Sequence, residues 1–226
     1  MIQSRNKTLR VLVDMDMVLC DFESHLLAEF RKKHPELPYI PLNERKGFYV
    51  KDQYHDSFGP ESSEKIRNIY SRKGFFQNLP EITGACQAIQ EMSNMNGVDV
   101  YICSSPMISC NTCLTEKASW IQRNLNRKWV EKLILVKDKT LINADVLIDD
   151  KPEITGVNSI PNWEHVVFTA CHNIALDIGG KKRLNGWIDG SWKKLISSFL
   201  DQMQMNHVDS TVNAASVNDE KIVSLF

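Results

Sequence analysis

This sequence leads one to expect an α/β fold, a doubly wound parallel sheet with a small, mostly helical segment inserted after the first strand. Three features carry that expectation. Short runs of β-branched and aliphatic residues recur as buried strands do, amphipathic helical stretches separate them, and polar residues follow each run at once. Strands alternating with helices make βαβ units, and in such Rossmann-like sheets the carboxyl ends of the strands share one ligand-holding edge.

The first run is Val11-Leu12-Val13, followed by Asp14 and Asp16 with one residue between them. Both carboxylates can face the crevice while Met15 packs away. Two such neighbours repel unless a cation sits between them, and Mg²⁺ suits one or two carboxylates plus phosphate oxygens and water. An Asx-rich turn would produce the same pair without any ion.

Apolar residues at Phe22, Leu26, Leu27 and Phe30 predict a helix over Phe22–Lys33, which Pro35 and Pro38 end. Tyr39–Pro60 reads as irregular and contains a basic and aromatic cluster, Arg45 to Val50. Ser62 or Ser63 is placed to cap a helix running to about Ser71. From Pro80 the pattern becomes regular. A helix (Ala85, Ile89, Met92) precedes strand Val98–Cys103, which ends in Ser104-Ser105-Pro106. A second helix (Leu114, Ala118, Ile121, Leu125) precedes Leu133–Val136, then Lys137-Asp138-Lys139. Strand Val146–Ile148 ends in Asp149-Asp150, and strand His165–Thr169 and a helix through Trp192, Leu195, Ile196 and Phe199 follow. The expected division is residues 1–19 and 80–205 as core, 20–79 as helical cap and 206–226 as a polar tail without periodicity.

Among 226 residues, 42% are hydrophobic and 24% charged, the balance of an ordinary globular chain able to bury a core. A net charge of −1 offers no electrostatic footprint for a nucleic acid polymer or an anionic membrane. No apolar run approaches the roughly 20 residues of a membrane span, and Met1–Arg10 is too short and polar for a secretion signal, so a cytoplasmic location is expected. Cys103 and Cys171 lie in or beside predicted buried strands, which favours free thiols in a reducing compartment. Cys110-x-x-Cys113 lacks the second pair or nearby histidine of a zinc knuckle.

Four strand ends thus deposit Asp14 and Asp16, Ser104 and Ser105, Lys137 and Lys139, and Asp149 and Asp150. Any one pair has an ordinary explanation as turn, cap or solvated surface. Together they are the inventory for a phosphoryl group held by Mg²⁺ and hydrogen-bond donors, with a carboxylate free to attack phosphorus.

Those residues resemble the four motifs of the haloacid-dehalogenase-like phosphatases and, within them, the 5′(3′)-deoxyribonucleotidases. The likeness spans roughly residues 9 to 200, in Val11–Glu23, Arg45–Tyr54, Ile102–Pro106, Glu116-Lys117, Val136–Thr140, Leu147–Lys151 and Asn162–Asn173. It implies Asp14 as nucleophile, forming an aspartyl-phosphate, and Asp16 as general acid and then base. It implies Mg²⁺ held by Asp14, the Asp16 main-chain carbonyl and a motif-four aspartate, with Asp150 favoured as direct ligand and Asp149 as its orienting neighbour. Ser104, beside Ser105, would donate to the phosphate, and Lys139 would neutralise it. Lys117 matches a family lysine but falls on a helix, either behind the site or on the surface. Phe22, Phe48 and Tyr49, followed by Val50, match the rings that hold the base, and Tyr70 is a further candidate. The alternative for Phe22 is a core position of its helix.

The substrate so implied is a deoxyribonucleoside monophosphate, dUMP-like or dTMP-like, and the family likeness leaves room for a homodimer. Three positions depart from the pattern: Met17 replaces a glycine, Ile108 a basic residue and Lys137 an arginine. They keep two other readings open, a related phosphatase for another small phosphoester and a catalytically weak nucleotide-binding protein obstructed by Met17.

Overall fold

In the computed structural model, which describes residues 8–107 and 110–205, β1 (Leu9–Val13) sits inside a sheet ordered β3-β2-β1-β4-β5-β6. The other strands of the sheet are β2 (Val98–Ser104), β3 (Leu133–Leu135), β4 (Val146–Asp149), β5 (Glu164–Phe168) and β6 (Lys182–Leu184); β1 pairs with β2 and β4, and every pairing is parallel. The strand order reverses on either side of β1, so the crevice above β1 is where such a sheet takes a ligand. Register does the positioning. Val13 lies opposite Ile148 on one side and Ile102 on the other, so the next residues of β1 and β4, Asp14 and Asp149, leave the sheet together.

Alternation along the central strands divides the core. Val11, Val13, Val100, Ile102, Val146 and Ile148 face a larger apolar cluster that includes Phe30, Trp120 and Trp192. Leu12, Cys103 and Leu147 face a smaller one closed by Trp163. The stretch Val11–Val13, buried on both faces, has no polar position inside it, so the next polar residue marks where the strand emerges.

Between β1 and β2 the chain forms α1 (Phe22–Lys33), α2 (Val50–Phe58), α3 (Pro60–Tyr70) and α4 (Ala85–Ser93). Helix α1 has its expected bounds, with the Asp21 carboxylate accepting from the Ser24 amide at its N-terminus. The stretch expected to be irregular holds α2, whose buried face is Val50 and Tyr54 with Phe58 packed alongside. Helix α3 begins earlier than the serine caps suggested. Gly59, at φ +86°, turns the chain and Pro60 starts the helix, while the Ser62 hydroxyl donates to the Phe58 carbonyl instead.

Further on come α5 (Cys113–Asn124), α6 (Arg127–Val130) and a last helix, α7 (191–205). The buried face of α5 is Cys113, Glu116, Lys117, Trp120 and Ile121. Leu114, expected inside, is 49% exposed; the face is rotated by one residue and carries two charges into the interior. Helix α6 and strand β6 were not expected. Both are too short for a hydrophobic period, and β6 reads Lys-Arg-Leu at the sheet edge. Ile108 and the tail 206–226 lie outside the described residues.

Candidate active site

Asp14, Asp149 and Asp150 each bring one carboxylate oxygen within 4.8 Å of the other two. Lys139 stands among them on the short helical turn after β3, its Nζ 2.6 Å from Asp14 Oδ1 and 2.5 Å from Asp149 Oδ2. Burial pushes the Asp14 carboxyl up; Lys139 draws it back, Asp149 adds to the rise, and the net direction is upward. Asp150 goes well above its ordinary value, through burial first and then Asp149 and Asp14. Burial would lower Lys139, but Asp14 and Asp149 outweigh it and hold the ammonium charged. With all three carboxylates ionised, one ammonium would leave an excess of two negative charges, which a divalent cation would cancel. The donors are all hard oxygens, so the residues fit Mg²⁺. Asp149 is already committed to Lys139 and to the Lys151 amide, at 2.9 Å from Oδ1.

Asp16 is fixed from the other side. Lys117, wholly buried on α5, places Nζ 2.5 Å from Asp16 Oδ2 and 2.8 Å from Ser104 Oγ. Burial lowers this lysine and the Asp16 and Asp14 charges raise it, with a net rise. The sequence offered Lys117 as surface or background. The signal that places it inside is its position in the buried stripe of α5 between Cys113 and Trp120. Ser104 is buried against Lys117, whereas Ser105 reaches the cavity wall.

Two networks brace these groups, and neither was read in advance. The Asp138 carboxylate accepts from the Thr140 amide (2.9 Å), the Thr140 hydroxyl (2.6 Å) and the Val157 amide (2.7 Å), clamping the turn that carries Lys139 to the loop after β4. That closeness requires a glycine, since a Cβ at Gly156 would lie 1.9 Å from Asp138 Oδ1. Asn173, fully buried, donates to the main-chain oxygens of Asp150 (2.7 Å) and Phe168 (2.8 Å) and so holds the end of β4 to β5.

Over the strand ends lies a cavity of about 790 Å³ lined by Asp14, Asp16, Lys139, Asp149 and Asp150 below and by Phe22, Phe48, Tyr49, Val50 and Tyr70 on the helical side. Phe22 packs among Tyr70, Phe75 and Phe76, with ring centroids 5.4 to 6.2 Å away. It serves as core and wall at once. Phe48 and Tyr49 are 37% and 54% exposed, their rings crossed by Lys151 Nζ at 5.2 and 5.7 Å from the centroids. Val50 is buried beneath them. Lys137 also reaches the wall.

Met17 has φ +60°, the left-handed region in which a side chain is strained. The position therefore needs a positive φ, and closeness alone is not why a glycine suits it. The Met17 side chain turns to α1, where Sδ accepts from the Glu23 amide at 3.2 Å. Glu23 in turn takes both arms of Arg45, at 2.9 and 2.8 Å, in a buried pair between α1 and the segment before α2.

Residues 7–198 match the family model described as 5′ nucleotidase, deoxy (pyrimidine), cytosolic type C protein. The mitochondrial 5′(3′)-deoxyribonucleotidase of Mus musculus is 42% identical over 87% of this chain and 89% of its own length. The cytosolic type of Homo sapiens is 41% identical over 85% of this chain and 95% of its own. Among solved structures, a haloacid dehalogenase family hydrolase from Deinococcus radiodurans, determined with bound phosphate and sodium, superposes with TM-score 0.55 at 14% identity, covering 84% of this chain and 97% of that one. A haloacid dehalogenase-like hydrolase from Xanthomonas campestris superposes with TM-score 0.52 at 11% identity, over 88% and 100%. At these identities the structures speak to the fold.

Proposed function

The chain belongs to the 5′(3′)-deoxyribonucleotidase family, and we propose on that premise that it removes the phosphate of 5′- or 3′-deoxyribonucleoside monophosphates. Pyrimidine substrates such as dUMP and dTMP are favoured, and Mg²⁺ is required. The observation that carries this reading is the convergence of Asp14, Asp149 and Asp150 with Lys139 at the floor of a cavity whose other wall is aromatic.

Mg²⁺, held by Asp14, the Asp16 carbonyl and Asp150, would polarise the phosphoryl oxygens and screen their charge from the attacking carboxylate. Asp14 attacks phosphorus, forming the aspartyl-phosphate as the bond to the nucleoside oxygen breaks. Asp16, steadied by Lys117, gives its proton to that leaving oxygen. It then takes a proton from water, which attacks phosphorus and frees Asp14 and inorganic phosphate. Splitting one displacement into two lowers each barrier. Lys139 neutralises charge on the phosphoryl group, Ser104 and Ser105 supply hydroxyl donors, and Asp149 orients Lys139.

Residues 20–79 act as a cap over the core of 1–19 and 80–205. Phe22, Phe48 and Tyr49, with Val50 behind, stack the base and surround the sugar with apolar surface, which disfavours an unpaired 2′-hydroxyl. The thioether of Met17 is engaged with α1, which supports an enzyme over an obstructed binder. Six free thiols support the cytosol as the setting.

The test is phosphate release from a panel of nucleotides and sugar phosphates, with and without Mg²⁺. Asp14→Asn is expected to lower kcat by on the order of 10⁴-fold or more. Turnover by that variant equal to wild type, or a clear preference for sugar phosphates, overturns the reading.

A further inference from the structure

Behind the catalytic cavity lies a second one of about 570 Å³, and Met17 and Glu23 line both. At the wall between them, Glu23, Cys171 and His172 each bring one donor atom within 4.8 Å of the other two. Glu23 comes from the first turn of α1; Cys171 and His172 come from the turn after β5. Glu23 and His172 are each 4% exposed, while Cys171 is half-buried and opens onto the second cavity.

The histidine is incompletely used. Its Nε2 lies 3.3 Å from both the Asp150 main-chain oxygen and Asp150 Oδ2, but Nδ1 is buried without a hydrogen-bond partner. A buried orphan nitrogen is costly, and here it is on a histidine that shares a small cluster with a thiol and a carboxylate. The Glu23 oxygens each accept one bond from Arg45, which fixes the carboxylate and still leaves each oxygen a second lone pair. Glu23 is also the strongest charge acting on both Cys171 and His172.

We propose that Glu23, Cys171 and His172 form a second cation site, for a borderline-soft divalent ion such as Zn²⁺. The donors decide the ion. Sulfur and imidazole nitrogen beside one carboxylate suit zinc, whereas the all-oxygen set of Asp14, Asp149 and Asp150 suits Mg²⁺. Three protein ligands leave a fourth position for water, which the second cavity supplies. On binding, the thiol proton leaves to solvent and the thiolate bonds the ion, with no change of oxidation state. An ion there ties α1 to the turn whose Asn173 holds the Asp150 carbonyl. The site goes beyond the nucleotidase reading and does not depend on it.

The test uses Co²⁺ as a spectroscopic stand-in, titrated into the full chain with Mg²⁺ saturating. A thiolate-to-cobalt charge-transfer absorption should appear and saturate at one equivalent. It should vanish in Cys171→Ser and persist in Cys110→Ser, circular dichroism showing each variant folded. His172→Gln should keep the absorption while weakening cobalt binding by at least about tenfold, and it decides the matter should Cys171→Ser not fold. No such absorption in wild type, an absorption retained in Cys171→Ser, its displacement by further Mg²⁺, or unchanged affinity in His172→Gln overturns the proposal.

Discussion

The two walls of the catalytic cavity are made of opposite materials. The sheet edge is a lattice of paired charges, buried Asp14, Lys139 and Asp149 on one side and half-buried Asp16 with buried Lys117 on the other, every member within 2.6 Å of an opposite charge. The helical wall is rings, Phe22 packed inward and Phe48 and Tyr49 half in solvent. Charges in a low dielectric tolerate little displacement, because an unpaired member is strongly penalised. Rings on a partly exposed wall can shift and still stack. Changes at the edge should therefore register in kcat, and changes at the helical wall in KM.

Lys117→Met tests the edge most directly. Methionine fills the same buried volume but leaves Asp16 and Ser104 without their shared ammonium donor. An acid–base group that loses its orientation forfeits most of its contribution, so kcat should fall by about 10²-fold with KM nearly unchanged. Steady-state kinetics decides it; a kcat within about threefold of wild type would mean Asp16 is held by other means.

Gly156→Ala attacks the same wall from a distance. The added methyl would overlap Asp138 Oδ1, so the loop after β4 must move and take with it the clamp on the turn that carries Lys139. The expected cost is about 2 kcal/mol of stability and about tenfold in kcat. In an Asp138→Ala background the alanine should add little, since the clash is gone; a double-mutant cycle in denaturant reads the coupling. Additive effects would disconnect Gly156 from Asp138.

Tyr49→Ala is the matching change on the helical wall. Removing one stacking face should raise KM by about tenfold, the scale of a single base–aromatic contact, and leave kcat within about twofold. A fall in kcat without a change in KM would mean the ring takes part in closing the edge, and the contrast between the walls would fail.

The contrast also explains what could be read in the sequence. Asp14 and Asp149 were legible because a strand buried on both faces advertises its end, and parallel register brings ends together; Lys139 was legible only from the polar trio after the β3 run. Lys117 was not placed, since a helical stripe reading Cys, Glu, Lys, Trp resembles a solvated face until its partners, 13 and 101 residues away, are known. Helix α2 stayed hidden because its apolar positions, Val50, Tyr54 and Phe58, are single residues in a polar background. The partner networks of Asp138 and Asn173 run between loops, where no period exists to betray them. Local pattern reports where the chain enters the core; it does not report which buried charges meet.

Met17→Gly should have the smallest effect, and the reason is a near-cancellation. Glycine relieves a left-handed side chain at φ +60°, worth roughly 1–2 kcal/mol. Against that stand the flexibility of glycine in the unfolded chain, about 0.5–1 kcal/mol, and the loss of the bond that the Glu23 amide gives to Sδ. Stability should stay within about 1 kcal/mol of wild type. Because the thioether is spent on α1, kcat should change less than about threefold. A rise well beyond that would show the side chain obstructing the metal and phosphate groups, and would move the boundary between the two walls onto Met17 itself.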